Sequence, residues 1–129
     1  MRIIYFLALA LLFSNAVIGQ KQFNAVDFEL SPGGKDCTGE LINALNKCKE
    51  YKNAELVFPK GEYHFYPDFG VDKYCFISNN DEGMKRIIFP LIGFENFTID
   101  GRGSLFIFHG FVNPFIVENS SNITFKDFF

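Results

Sequence analysis

The chain has 129 residues, with 12 basic and 15 acidic side chains and a formal net charge of −3. That mild acidity offers no basic surface for nucleic acid, and the length allows one small domain at most. Phenylalanine dominates the aromatics, with 18 copies against 5 tyrosines and no tryptophan.

Residues 1–19 read as a targeting segment. Arg2 supplies a positive start, an apolar run is unbroken from Ile3 to Phe13, and Val17-Ile18-Gly19 places small residues before a cleavage at Gln20. The run is shorter than the ~20 residues of a membrane span, and no cysteine beyond it marks a lipid anchor. The expectation is a signal peptide at 1–19, export to the periplasm or the medium, and no membrane contact after cleavage. The mature domain is then 20–129, one charge more negative once Arg2 is lost.

Phe23-Asn24-Ala25-Val26-Asp27-Phe28 alternates like a strand, and Ser31-Pro32-Gly33-Gly34 is a loop. Asp36 or Thr38 then caps a helix predicted to run to about Tyr51. Leu41, Leu45 and Cys48 form its apolar stripe, with Ile42 and Ala44 beside it. Arrays of stacked strands need a terminal cap, and this helix is read as that lid. Of the three cysteines, Cys37 and Cys48 flank the helix. Eleven helical residues span ~16 Å, beyond the ~7 Å limit of a disulfide. Cys37–Cys75, Cys48–Cys75 and three free thiols stay open, and no cysteine or histidine spacing suits a metal.

Residues 55–66 read as strand, Pro59-Lys60-Gly61 corner, strand. Residues 67–85 are less regular and polar, a loop around the short apolar piece Tyr74-Cys75-Phe76-Ile77. Loops on a rigid scaffold concentrate binding residues, so Asn79, Asp81, Lys85 and Arg86 are the candidate binding residues.

From Phe89 the chain repeats itself. Phe89 and Phe115, Leu91 and Val117, Asn96 and Asn122, Thr98 and Thr124, and Ile99 and Phe125 all stand 26 residues apart. Such periods mark repeat architectures. The repeated pieces are short, β-branched and aromatic, and are broken by Gly and Asn, so they are strands. The fold class predicted is all-β: the first rungs of a right-handed parallel β-helix with an N-terminal capping α-helix. Asn96 should stack on Asn122 in a ladder, Asp100 should neighbour Lys126, and Gly101-Arg102-Gly103 should make a corner. Leu105 to Phe108 is apolar on both faces, which predicts a strand covered on both sides.

Asp27-Phe28, Gly33-Gly34-Lys35-Asp36-Cys37-Thr38 and Phe58-Pro59-Lys60-Gly61-Glu62-Tyr63 resemble the start of many secreted β-helix polysaccharide enzymes. Tyr63-His64-Phe65-Tyr66-Pro67, Phe76-Ile77-Ser78-Asn79-Asn80-Asp81 and Phe89-Pro90-Leu91-Ile92-Gly93 resemble, more narrowly, the α-1,3-galactosidases of glycoside hydrolase family 110. Asn96-Phe97-Thr98-Ile99-Asp100-Gly101 and Ser104-Leu105-Phe106-Ile107-Phe108-His109-Gly110 do the same. The resemblance implies an exo-acting, inverting enzyme that releases galactose from α-1,3-linked glycans, with no cofactor. It covers only the start of a much longer family pattern, so the chain is expected to be an N-terminal piece that ends mid-rung.

An inverting glycosidase needs an acid and a base ~6.5–9.5 Å apart. Asp100, Glu118 and Asp127 are the carboxylates the rungs offer, and no two have that placement by sequence position. The catalytic residues are therefore unassigned and expected beyond Phe129, and the chain alone is expected to be inactive. His64 and His109 read as packing or hydrogen-bonding groups. Two alternatives remain: another β-helix lyase or polygalacturonase-like hydrolase, or a non-catalytic carbohydrate-binding β-helix.

Overall fold

The computed structural model describes residues 19–77 and 79–129. The expected signal peptide lies outside the described residues, Gly19 excepted. Among the described residues no helix is long and apolar enough to cross a membrane.

The all-β class holds, and parallel pairing organises it. Strand β1 (Lys21–Asn24) pairs with β2 (Ala54–Val57), β2 with the first part of β6 (Glu95–Phe108), and β6 with β8 (Ser121–Phe128). The second part of β6 pairs with β3 (Glu62–Phe65). One strand serves two partners because its backbone turns at Arg102 (φ 47°) and Gly103 (φ 80°). A second, mixed sheet runs β4 (Val71–Ile77), β5 (Asn80–Ile92), β7 (Asn113–Glu118), with β5 and β7 parallel and β4 and β5 antiparallel.

The repeat in the sequence is the register of the strands. Phe89 faces Phe115, Leu91 faces Val117, Thr98 faces Thr124 and Asp100 faces Lys126. Asn122 Nδ2 donates to Asn96 Oδ1 at 2.7 Å. Both asparagines are left-handed, at φ 49° and 55°, as are Gly93 and Asn119 at the preceding corner. Short polar side chains and glycine tolerate that backbone best. Inside, like rings stack on like: Phe89 on Phe115 at 4.8 Å between centroids, Phe106 on Phe128 at 4.9 Å.

The helix α1 (Thr38–Cys48) buries Leu41, Ala44, Leu45 and Cys48 in one cluster with Leu56, Phe58, Tyr63, Phe65, Phe89 and Leu91. Each large side chain so buried is worth roughly 1.5–3 kcal/mol. The N-cap is Cys37, which makes no side-chain cap bond; Asp36, one residue before it, accepts at Oδ1 from Thr38 N at 2.9 Å and from Tyr66 N at 3.3 Å. Thr38 is instead the first helical residue, and its hydroxyl both donates to Tyr66 O and accepts from Tyr66 N.

Several expectations are corrected. The helix stops at Cys48, because Glu50 N and Tyr51 N bond three residues back, to Lys47 O and Cys48 O, and tighten the chain out of α geometry. The piece 23–28 is strand only to Asn24, whose Oδ1 accepts from Val26 N and starts a 3-10 turn at Ala25–Phe28. Residues 67–85 are not a loop. A 3-10 turn (Pro67–Phe69) leads into the β4–β5 hairpin, where Val71, Lys73, Cys75 and Ile77 are half-buried and Asp72, Tyr74 and Phe76 are exposed. That period of two is hidden in the sequence because lysine shares the inner face and aromatics the outer one. Leu105 is 41% exposed, so the two-sided cover expected over Leu105 to Phe108 is missing there. The cysteine alternatives left open resolve to three free thiols, Cys37 and Cys48 buried and Cys75 half-buried.

Candidate functional site

The four candidate contacts do not converge. Asn79 sits in the hairpin turn at φ 69°, and Asp81 is exposed just after it. Arg86 lies five residues further along β5, roughly 17 Å at strand rise. Lys85 stands opposite Lys73, and Arg86 opposite Asp72. Successive strand residues point to opposite faces, so Lys85 and Arg86 are on different sides of the hairpin.

Arg86 alone among them is built into a site. Its Nε lies 2.7 Å from Asp72 Oδ1, Nη2 donates to Asp72 Oδ2 at 3.3 Å, and Nη1 donates to Pro67 O at 2.9 Å. Pro67, Asp68, Asp72, Met84, Arg86 and Phe111 line a recess of 420 Å³ there. A larger recess of 680 Å³ lies between the Ala25–Phe28 turn and α1, walled by Phe28, Phe69, Asp27, Glu29 and Glu40.

The structure also brings together groups that sequence position separates. On β3, Glu62 Oε1 lies 2.7 Å from His64 Nε2, and His64 Nδ1 lies 2.7 Å from His109 Nε2. Tyr66 stacks flat on His109, 4.0 Å between centroids. The β3–β6 register delivers this chain: His64 faces Ile107, two residues before His109. The alternation of Glu62 and His64 on β3 with Tyr66 just past its end is the available signal. The partner strand's register was needed to find His109.

Asp100, Glu55 and Glu118 are held by cations. Lys126 Nζ lies 3.5 Å from Asp100 Oδ2 and 3.4 Å from Glu55 Oε1. Asp100 foremost, with Glu55 behind it, raises the Lys126 ammonium above its ordinary value. Glu118 takes Lys73 at 3.0 Å. Asp127 occupies a left-handed corner at φ 56°. Among the described residues no three His, Cys, Asp or Glu side chains are grouped to hold a metal.

No protein-family model matches the chain. It is similar to curated proteins named α-1,3-galactosidase. Against α-1,3-galactosidase A of Shewanella woodyi it is 43% identical over 116 residues, 89% of this chain and 19% of that protein. Against α-1,3-galactosidase B of Bacteroides thetaiotaomicron it is 33% identical over 124 residues, 95% of this chain and 20% of that protein. Against α-1,3-galactosidase B of Parabacteroides distasonis it is 34% identical over 123 residues, 91% of this chain and 20% of that protein. The chain thus spans about a fifth of the length of the relatives it matches.

Proposed function

We propose that these residues form the N-terminal rungs of an exported, right-handed parallel β-helix protein that acts on galactose-containing glycans, most like an α-1,3-galactosidase removing terminal α-1,3-linked galactose. The observation that carries this reading is the likeness to such galactosidases along nearly the whole chain. The parallel strand pairs and the repeated left-handed corners support the β-helix, and α1 acts as its lid.

In this reading the chain is scaffold rather than catalyst. An inverting mechanism needs one carboxyl group to donate a proton and another to activate water. Asp100 and Glu55 both engage Lys126, Glu55 also accepts from Gln22 Nε2 at 3.2 Å, and Glu118 engages Lys73. Those partners commit the three acids to holding strands together. The residues alone should therefore not hydrolyse.

The test is a chimera. Residues 20–129 replace the corresponding segment of the Shewanella woodyi enzyme, and galactose release from an α-1,3-linked disaccharide is measured. A folded, active chimera is expected. A folded chimera without activity contradicts the scaffold role. The chain by itself should release no galactose, and turnover abolished by Asp81→Asn, Asp100→Asn or Asp127→Asn would place the chemistry here after all.

A further inference from the structure

The recess beside Arg86 lies on the β4–β5 hairpin, where Asp72 and Arg86 pair across the strands, and its parts are fixed. Gly70 leaves room for the arginine stem: a Cβ there would stand 2.7 Å from Arg86 Cδ. The guanidinium is then locked by Asp72 on one side and by Pro67 O on another. These bonds use three of its five N–H donors, and each Asp72 oxygen keeps a lone pair free. A rigid fork with both spare donors and spare acceptors faces the recess. At its rim Phe111 is 97% exposed and Met84 63% exposed. The recess, 420 Å³ in volume, is open to solvent rather than enclosed.

The charge balance selects the ligand. Asp72 offsets the arginine, and Asp68 adds a further negative group to the lining. An anionic ligand is disfavoured, and a neutral polyhydroxyl ligand suits the mixed donors and acceptors. The open phenyl ring calls for a ligand with one C–H face. Galactopyranose has such a face, since its axial O4 leaves the hydrogens of C3, C4 and C5 together on one side.

We propose that this recess is a carbohydrate subsite for one galactopyranose ring, with the C3–C5 face on Phe111 and the hydroxyls on the Arg86–Asp72 fork. The choice of galactose rests on the galactosidase-like reading above; the site itself rests on the geometry.

Saturation-transfer NMR on the protein with millimolar methyl α-galactopyranoside tests it, with methyl α-glucopyranoside alongside. Transfer concentrated on H3, H4 and H5 of the galactoside is expected. Phe111→Ala and Asp72→Asn should each weaken binding about tenfold or more, a loss of ~1.4 kcal/mol, while the amide spectrum away from the hairpin stays unchanged. Galactoside binding that persists undiminished in Phe111→Ala overturns the subsite and leaves the galactosidase-like reading standing. Phe111-dependent binding of the glucoside alone overturns the galactose assignment and counts against that reading. No transfer from either glycoside overturns the subsite.

Discussion

His64 Nδ1 and His109 Nε2 lie 2.7 Å apart, with the rings nearly parallel at 18°. One nitrogen must donate and the other accept. Since His64 Nε2 also meets Glu62 Oε1 at 2.7 Å, three side chains share one directional hydrogen-bond chain along the outer face of β3 and β6. His109 is its anchor, because Tyr66 stacks on the same ring. His109→Ala should leave His64 with an unanswered nitrogen and Tyr66 without its stack, costing about 1–3 kcal/mol. Urea unfolding measures this, and a variant as stable as the parent contradicts the linkage.

The strands from Phe89 onward are legible in the sequence because their register is a sequence repeat. Asn96 and Asn122 must turn left-handed at the same place on successive levels, so the same residue recurs. The β4–β5 hairpin carries no such repeat. Tyr74, Phe76 and Met84 point outward, while Lys73 points inward to Glu118. Apolar side chains thus stand on both faces of β4, with Val71, Cys75 and Ile77 inside and Tyr74 and Phe76 outside, and the alternation is hidden. The His64–His109 pair is illegible for another reason. The residues are 45 apart, and only the pairing of Phe65 with Phe108 brings them side by side. Arg86 stands out in the sequence as a polar residue, but Phe111, on a different turn, joins it only through folding.

Leu45 tests the lid. It is 2% exposed within the cluster that joins α1 to the strands. A carboxylate there has no cation to meet among the buried neighbours. Leu45→Asp should lose the folded state or at least several kcal/mol, whereas Leu45→Met should cost under about 1.5 kcal/mol. Circular dichroism and urea midpoints of the two variants decide it, and equal stability would detach the helix from the core.

Alkaline pH tests two buried groups. Burial pushes the Cys48 thiol and the Tyr63 phenol up to about 12 from ordinary values of 9.0 and 10.0. Above pH 9 the unfolded chain releases these protons before the folded one does, so the folded state binds more. Stability is therefore full below pH 9 and falls as pH rises towards 12, by up to about 1.4 kcal/mol per unit for each group. Ionising Tyr63 also removes its 2.6 Å donation to Pro59 O. Urea midpoints should drop over this range, and less steeply in Cys48→Ala. A midpoint independent of pH there would mean that neither group is held as the structure has it.

Gly101 tests the stacking of β8 on β6. It is buried at the turn of β6, with no room above it. A Cβ would lie 2.5 Å from Phe128 Cβ and 2.6 Å from Asp127 O. The second contact is backbone, and Asp127 is itself fixed at a left-handed corner, so neither neighbour can rotate aside. Gly101→Ala must push β8 outward and part the Phe106–Phe128 stack, costing about 1–3 kcal/mol. Gly83, in β5, meets nothing within 4 Å, and Gly83→Ala should be neutral or gain about 0.4–1 kcal/mol from the stiffer unfolded chain. Denaturant unfolding of both variants separates the two causes. If Gly101→Ala were as stable as Gly83→Ala, β8 could not lie on β6 in the register that pairs Asp100 with Lys126.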